Sequence, residues 1–338
     1  MTATSMRRVT IRDVALAAGV SVSTISKVVN GRSGIAADTQ ERVRAVVEEM
    51  GYVGAVGAQT LRRQKTGVVG VLVSRFEPYS AEVLKGVSAA IEGSGYELMA
   101  WSGVTKPGAA ASGWERRLLG RLAGGLIDGA IVVTPSVTPP VGGFPLVVVD
   151  PHELSDDTPT VRSDDAGGAR RATAHLLSLG HTRIGFLGGR HDLASARARE
   201  DGFRQAMAAA GVAVDPRLVA HGDYTNAGAM GPARHLLTQE QRPTAIFAAN
   251  DVSALRVITE ANRLGLSVPE ELSVIGFDDV PEAAKAAPRL TTMAQPMQQL
   301  GATAMEMLLR LLRDQAPTRR HACLSTQLIV RRSTAPLR

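Results

Sequence analysis

Seven short runs of Val, Ile, Leu and Phe recur from Gly67 onward, and they constrain the fold of this 338-residue chain more than any other feature. They are GVVGVLV (67–73), YELMAW (96–101), GAIVVT (129–134), PLVVVD (145–150), RIGFLGG (183–189), AIFAAN (245–250) and LSVIGFDD (272–279). Each has the length of a strand, and helical stretches such as AEVLKGVSAAIEGSG and GGARRATAHLLSLG lie between them. Near-continuous apolar strands alternating with helices predict parallel sheets covered on both faces. The expected core is α/β, two doubly wound parallel-sheet lobes with ligand chemistry at the carboxyl ends of the strands.

The chain is 44% hydrophobic and 21% charged, as expected of a soluble globular protein. No apolar run approaches the ~20 residues that span a bilayer, so no membrane partner is expected. The start, MTATSMRRVTIRDVA, has no apolar signal core, and the single Cys323 offers neither a disulfide nor a cysteine metal site. A cytoplasmic location is the expectation.

The positive charge is concentrated at one end. Residues 1–66 hold ten Lys and Arg against five Asp and Glu, whereas the other 272 residues hold 28 against 27. A basic segment can be a solvated face, but one that also folds as a helical reader is a nucleic-acid footprint. Residues 10–18 (TIRDVALAA) place Ile11, Val14, Ala15 and Ala18 on one helical face, with Thr10 and Asp13 spaced as a capping box. Gly19 interrupts, Ser21 caps a second helix running to about Val29, and Asn30-Gly31 ends it. A third helix is expected over roughly Asp38–Met50. Two short helices about a tight glycine turn form a helix-turn-helix rather than a generic hairpin, because small, turn-competent and core-anchoring residues fall at Ala15, Gly19 and Ile25.

VTIRDVALAAGVSVSTISKVVNG followed by ERVRAVVEEMGY closely resembles the headpiece of the lactose-repressor (LacI/GalR) family. The resemblance implies that Val22, Ser23 and Lys27 face base edges of double-stranded operator DNA. It places Thr24 and Ser26 at phosphates or the groove wall, and Ile25 and Val28 inward. Lys27 stands where many members carry Arg, and it donates as a point charge rather than a planar fork. After Tyr52, VGAVGAQTLRRQKTG corresponds to the family's hinge helix. Leu61 is then the minor-groove wedge, Ala58 the adjacent small residue, and Arg62 and Arg63 lie near phosphates. Gly54 replaces the usual proline, and Gly57 within the hinge costs about 0.5–1 kcal/mol of helix stability. A plain flexible linker is the alternative.

LLSLGHTRIGFLGG, SARAREDGF, FAANDVSALRVI, LSVIGFDDVPEA and LSTQLIVRRSTAP resemble the same family's core, which shares its fold with periplasmic sugar-binding proteins. The resemblance divides the chain into a headpiece (1–52), a hinge (53–66) and an effector-binding and dimerisation core (67–338). It implies crossings between lobes near 162, 291 and 323, giving lobe one as 67–162 plus 292–322 and lobe two as 163–291 plus 323–338. The effector cleft lies between the lobes, with Arg199, Asp278, Asn250 and Asp150 as contacts and Tyr224 as the aromatic wall. Phe76, Tyr79 and Gln295 are weaker candidates. Planar arginine and carboxylate groups can each grip two neighbouring sugar hydroxyls. The alternative makes Asp150 and Asp278 strand-end caps and Arg199 a surface ion-pair partner. Glu200 departs from the pattern, replacing the apolar residue that commonly follows the pocket arginine.

An enzyme is not expected. GFLGG lacks dinucleotide-fingerprint spacing, and no G-x-S-x-G, H-E-x-x-H or Walker lysine occurs. The seven histidines show no metal-ligand spacing, so neither a metal nor a cofactor is expected. Asp164-Asp165 and Asp278-Asp279 read as turn or cap residues. The expected protein is a homodimeric DNA-binding repressor controlled by a small effector. A sugar is the first choice, a purine-type co-repressor the alternative, and a sugar-binding protein without DNA function a third reading.

Overall fold

A computed structural model of the chain describes residues 11–29, 34–49, 65–103, 113–123, 125–137, 139, 144–153 and 158–337. The hinge assignments at Ala58, Leu61, Arg62 and Arg63 lie outside the described residues.

The headpiece contains α1 (Ile11–Ala18), α2 (Val22–Val29) and α3 (Ala37–Glu49). Gly19 turns the chain between the first two at φ +64°, a left-handed conformation that β-carbons disfavour. The Val20 amide donates back to the Ala15 carbonyl at 3.1 Å, closing the end of α1. Ser21 caps α2 by accepting from the Thr24 amide at 3.1 Å. Val14, Ala15, Ala18, Ile25, Val28 and Val43 form the small shared core.

Beyond the headpiece, the described residues build two six-stranded sheets. The first contains β1 (Val68–Val73), β2 (Glu97–Ser102), β3 (Gly129–Val133), β4 (Leu146–Val149), β5 (Thr160–Ser163) and β11 (His321–Leu324), in the order β11-β5-β4-β3-β1-β2. The second contains β6 (Ile184–Gly188), β7 (Val219–His221), β8 (Ala245–Ala248), β9 (Ser273–Asp278), β10 (Thr291–Ala294) and β12 (Gln327–Ile329), in the order β12-β10-β9-β8-β6-β7. The two orders are the same, each reversing direction beside the lobe's first strand, where doubly wound sheets open a crevice. The seven apolar runs coincide with β1, β2, β3, β4, β6, β8 and β9. Their neighbours are parallel along β1-β3-β4-β5-β11 and β7-β6-β8-β9-β10, and only β12 runs antiparallel to β10 among the registered pairs.

The chain leaves one sheet for the other after Ser163, Ala294 and Leu324. The second crossing is three residues later than the sequence suggested, because Thr291–Ala294 pairs with β9 inside the second sheet. Likewise His321–Leu324 pairs with β5, so lobe one runs to residue 324 rather than 322.

Helices α4 (Pro78–Ile91), α5 (Trp114–Leu122) and α11 (Met297–Leu311) belong to the first lobe's stretches of chain. The second lobe carries α6 (Asp165–Ser178), α7 (Ala194–Ala209), α8 (Asn226–Leu237), α9 (Asp251–Arg263) and the short α10 (Pro281–Lys285). Val69, Val71, Ile131, Val147 and Val161 pack with Val83 and Val87 of α4 and with Leu300, Ala304 and Leu308 of α11. Beneath α6 and α7, Phe186 stacks on Phe203 at 5.0 Å and meets Phe247 edge-on at 5.4 Å.

Candidate functional site

The amphipathic pattern of α2 decides what it can present. Ile25 and Val28 are buried, which fixes the helix against α1 and α3. Val22, Ser23 and Lys27 then face outward, with Thr24 and Ser26 half-buried beside them. The Ser21 hydroxyl holds those of Ser23 and Thr24 at 2.7 and 2.9 Å. A short helix with one apolar side locked and one polar side open suits insertion into a major groove.

The second feature is a cleft lined from the carboxyl ends of both sheets, with a cavity of about 150 Å³. Val73 ends β1 and Ser74 follows it, Val133 ends β3 and Thr134 follows it, and Asp150 follows β4. From the other lobe, Arg190 follows β6, Asp223–Thr225 follow β7, Asn250 follows β8 and Asp278 ends β9. Thr134, Asp150, Tyr224 and Asp278 hold positive φ angles of 49°, 53°, 69° and 120°. Such conformations in residues other than glycine cost on the order of 1–3 kcal/mol each and tend to persist where a site requires them.

Arg199 organises the cleft floor. It sits on α7 one turn before Gly202, where an added Cβ would lie 2.4 Å from the Ala166 carbonyl. That glycine lets α7 press against the first turn of α6 and brings Asp165 beside the guanidinium. Arg199 Nε donates to Asp165 Oδ1 at 2.8 Å and Nη1 to the Ala249 carbonyl at 2.6 Å. Nη1 also reaches Asp278 Oδ1 at 3.4 Å, and the guanidinium lies 4.0 Å from the centroid of Phe277. Arg199, Asp165 and Asp278 are all buried.

Burial dominates the electrostatics. It pushes the Asp150 carboxyl up to about 7, reinforced by Asp165 and opposed by Arg199. Asp278 is raised to about 6 by burial, against the pull of Arg199. Asp165 is raised for the same reason, again opposed by Arg199. Burial works against the Arg199 charge, yet Asp165 and the other acidic groups around it hold its pKa above the ordinary arginine value. Tyr224 is pushed up by burial, and its hydroxyl has no partner among the described residues.

Six of the eight effector candidates line this cleft: Asp150, Arg199, Tyr224, Asn250, Asp278 and Tyr79. Asn250 also has a structural duty. Its Oδ1 caps α9 by accepting from Ser253 N at 3.0 Å, and its Nδ2 donates to the Tyr224 carbonyl at 3.2 Å. Phe76 does not line the cavity; it precedes α4 and is 58% exposed. Gln295 lies behind the wall, donating to Asp278 Oδ1 at 2.6 Å and so positioning that carboxylate. Asp165, read as a turn or cap residue, is the nearest charged partner of Arg199, while its neighbour Asp164 does cap α6.

Sequence reasoning missed Arg75, Glu77, Ser80, Arg190, Ser195 and Asp223, which also line the cleft. Arg75, Glu77 and Arg190 stand in the loops just after predicted strands, the signal that could have found them. Ser80 and Ser195 lie on helices, and Asp223 follows β7, a strand the sequence did not suggest. Ser195 donates to Asp150 Oδ2 at 3.1 Å, and Arg190 pairs with Asp192.

Comparison with known proteins agrees with this arrangement. Residues 10–54 match the family of bacterial regulatory proteins named for lacI, and residues 173–334 match the periplasmic binding protein-like domain. The HTH-type transcriptional repressor PurR of Photobacterium profundum is 33% identical over 97% of this chain and 99% of its own length. The HTH-type transcriptional regulator CelR of Thermobifida fusca is 32% identical over 97% of this chain and 98% of its own. Among solved structures, a CelR–cellobiose complex superposes with a TM-score of 0.72 at 30% identity, covering 96% of this chain and 100% of that one. The lac repressor dimer bound to operator and the anti-inducer ONPF gives 0.68 at 27%, covering 97% and 100%. With relatives above 30% identity along nearly the whole chain and a matching lacI-family segment, the chain belongs to the LacI family of DNA-binding transcriptional repressors.

Proposed function

We propose that this protein is a cytoplasmic repressor that binds a pseudopalindromic operator as a homodimer and is controlled by a neutral sugar held between its lobes. The observation that carries the effector class is the donor and acceptor balance of the cleft. Four carboxylates (Glu77, Asp150, Asp223 and Asp278) face three arginines, so the lining has no surplus positive charge to reward an anionic ligand. The carboxylates, the Ser and Thr hydroxyls and the unpartnered Tyr224 hydroxyl suit a ligand rich in hydroxyl donors. A hydroxyl donating to Asp150 or Asp278 favours the ionised carboxylate that burial disfavours.

A purine-type effector is the second reading, favoured by the aromatic rings of Tyr224 and Tyr79 in the same cavity. A thermal-shift screen of neutral sugars, sugar phosphates and nucleobases on the full chain separates the two. Stabilisation by a neutral mono- or disaccharide supports the first reading, and stabilisation by a nucleobase alone replaces it.

On the DNA side, Val22, Ser23 and Lys27 read base edges, and Thr24, Ser26 and Arg62 hold the backbone. Leu61, flanked by Ala58, wedges the central step. The effector acts by favouring one lobe arrangement over another, with a coupling on the order of 1–3 kcal/mol that DNA must return reciprocally.

A further inference from the structure

Three ligand-bearing side chains distant in sequence converge at the β6–β7 edge of lobe two. His191 follows β6, Glu200 lies on α7, and His221 ends β7, with one donor atom from each within 4.8 Å of the others. We propose that His191, Glu200 and His221 form a transition-metal site, of the Zn²⁺ class, that braces the lobe-two wall of the effector cleft.

The surrounding structure holds the three groups in place. Glu200 Oε1 accepts two bonds from Arg204, at 2.9 and 2.7 Å, leaving Oε2 to meet His221 Nε2 at 2.8 Å. The imidazole of His221 lies against Gly188, where a Cβ would come within 2.7 Å of the ring, so the bare glycine is what admits it. The rings of His191 and His221 stand 3.9 Å apart. Arg197, also on α7, donates to the His191 carbonyl at 2.7 Å and ties that loop to the helix bearing Glu200.

Two imidazole nitrogens and one carboxylate oxygen make the donor set of a three-ligand zinc site, with water completing the tetrahedron. Imidazole disfavours Mg²⁺ and Ca²⁺, which prefer oxygen. Donor atoms around zinc stand roughly 3.3 Å apart for bonds of about 2.0 Å. Rotation of the exposed His191 ring brings its nitrogen in, and the Glu200–His221 pair opens from 2.8 Å as the ion replaces their hydrogen bond. Glu200 and His221 are partly buried and His191 is exposed, so the site is open to solvent. Each ligand adjoins a cleft residue: His191 follows Arg190, Glu200 follows Arg199, and His221 lies two residues before Asp223. A bound ion therefore cross-links three of the segments that carry the lobe-two wall.

Calorimetric titration of Zn²⁺ into tag-free full chain carrying Cys323→Ser, which removes the exposed thiol, tests the proposal. The expected result is one ion per chain, with Co²⁺ substitution giving the visible absorption of a tetrahedral site. His191→Ala and Glu200→Gln should each weaken binding by at least about 10-fold, and Arg204→Ala by about 10- to 100-fold through loss of the carboxylate's support. His191 is exposed, so its variant keeps the fold even if His221→Ala does not. Absence of binding at millimolar Zn²⁺, or affinity unchanged in His191→Ala, overturns the site. Hydrogen exchange at 189–193 and 221–225 should slow when Zn²⁺ binds; unchanged exchange with full occupancy overturns the bracing role.

Discussion

Arg199 and Asp165, 34 residues apart in sequence, form the shortest charged contact of the cleft floor, with Nε 2.8 Å from Oδ1 and both side chains 6% exposed. Asp278, the other carboxylate in contact with Arg199, stands farther off at 3.4 Å. Arg199 is thus as much a keystone of lobe two as a ligand contact, and removing it strands buried carboxylates. Arg199→Ala is expected to destabilise the protein by about 3–5 kcal/mol. Equilibrium denaturation measures this; a loss below ~1 kcal/mol would show that the cluster relaxes or hydrates freely.

Asp278→Asn keeps the shape of the cleft wall and removes one carboxylate. Effector response, measured by fluorescence anisotropy on operator DNA, is expected to fall while effector-free operator binding stays nearly intact. A full response in this variant would move the effector away from the end of β9.

The pH dependence of Asp150 has a definite sign. Its folded pKa of about 7 lies above the ordinary aspartate value, so the folded state binds a proton that the unfolded state has released. The stability it contributes is fully present below about pH 4 and is lost as pH rises toward and through 7. Relative to Asp150→Asn, the natural chain should therefore lose stability between pH 5 and pH 8 in effector-free buffer. Parallel pH profiles for the two proteins would place the titrating group elsewhere.

Ser21 supplies the cap that starts the reading helix. Ser21→Ala is expected to cost roughly 0.5–2 kcal/mol of local stability in α2, seen as faster hydrogen exchange at residues 24–28. The unfolding of the sheets should not change. Equal exchange rates would mean that packing of Ile25 and Val28 alone holds the helix.

Lys27→Ala is expected to weaken operator binding by ~1–3 kcal/mol and to relax preference at one base pair in each half-site. Competition between specific and random DNA checks this. An equal loss on both would assign Lys27 to phosphate.

The elements legible in the sequence were those whose own residues determine them. The Val-rich β1, β3 and β4 must be buried whatever surrounds them, and Gly19 marks its turn without tertiary help. The strands overlooked, β5, β7, β10, β11 and β12, have three or four residues each and include polar or charged ones such as Arg162, His221 and Gln327. They are strands because a neighbour pairs with them, which no local pattern records. The same holds in the cleft. Asp150 and Asp278 could be found at strand ends, but Asp165 meets Arg199 only because Gly202 lets two helices close together. The histidines have no metal spacing along the chain, and only the turns after β6 and β7 bring His191 and His221 to Glu200.

Lobe one is finished only after lobe two has been made. Its sheet gains β11, and its core gains Leu300, Ala304 and Leu308 of α11, from chain that follows the whole second sheet except β12. Lobe two in turn receives β12 after that return. Neither lobe is a continuous segment, so no single cut yields one intact, and a ribosome-bound chain stopped at residue 294 has neither lobe complete. The two lobes are therefore bound to mature together.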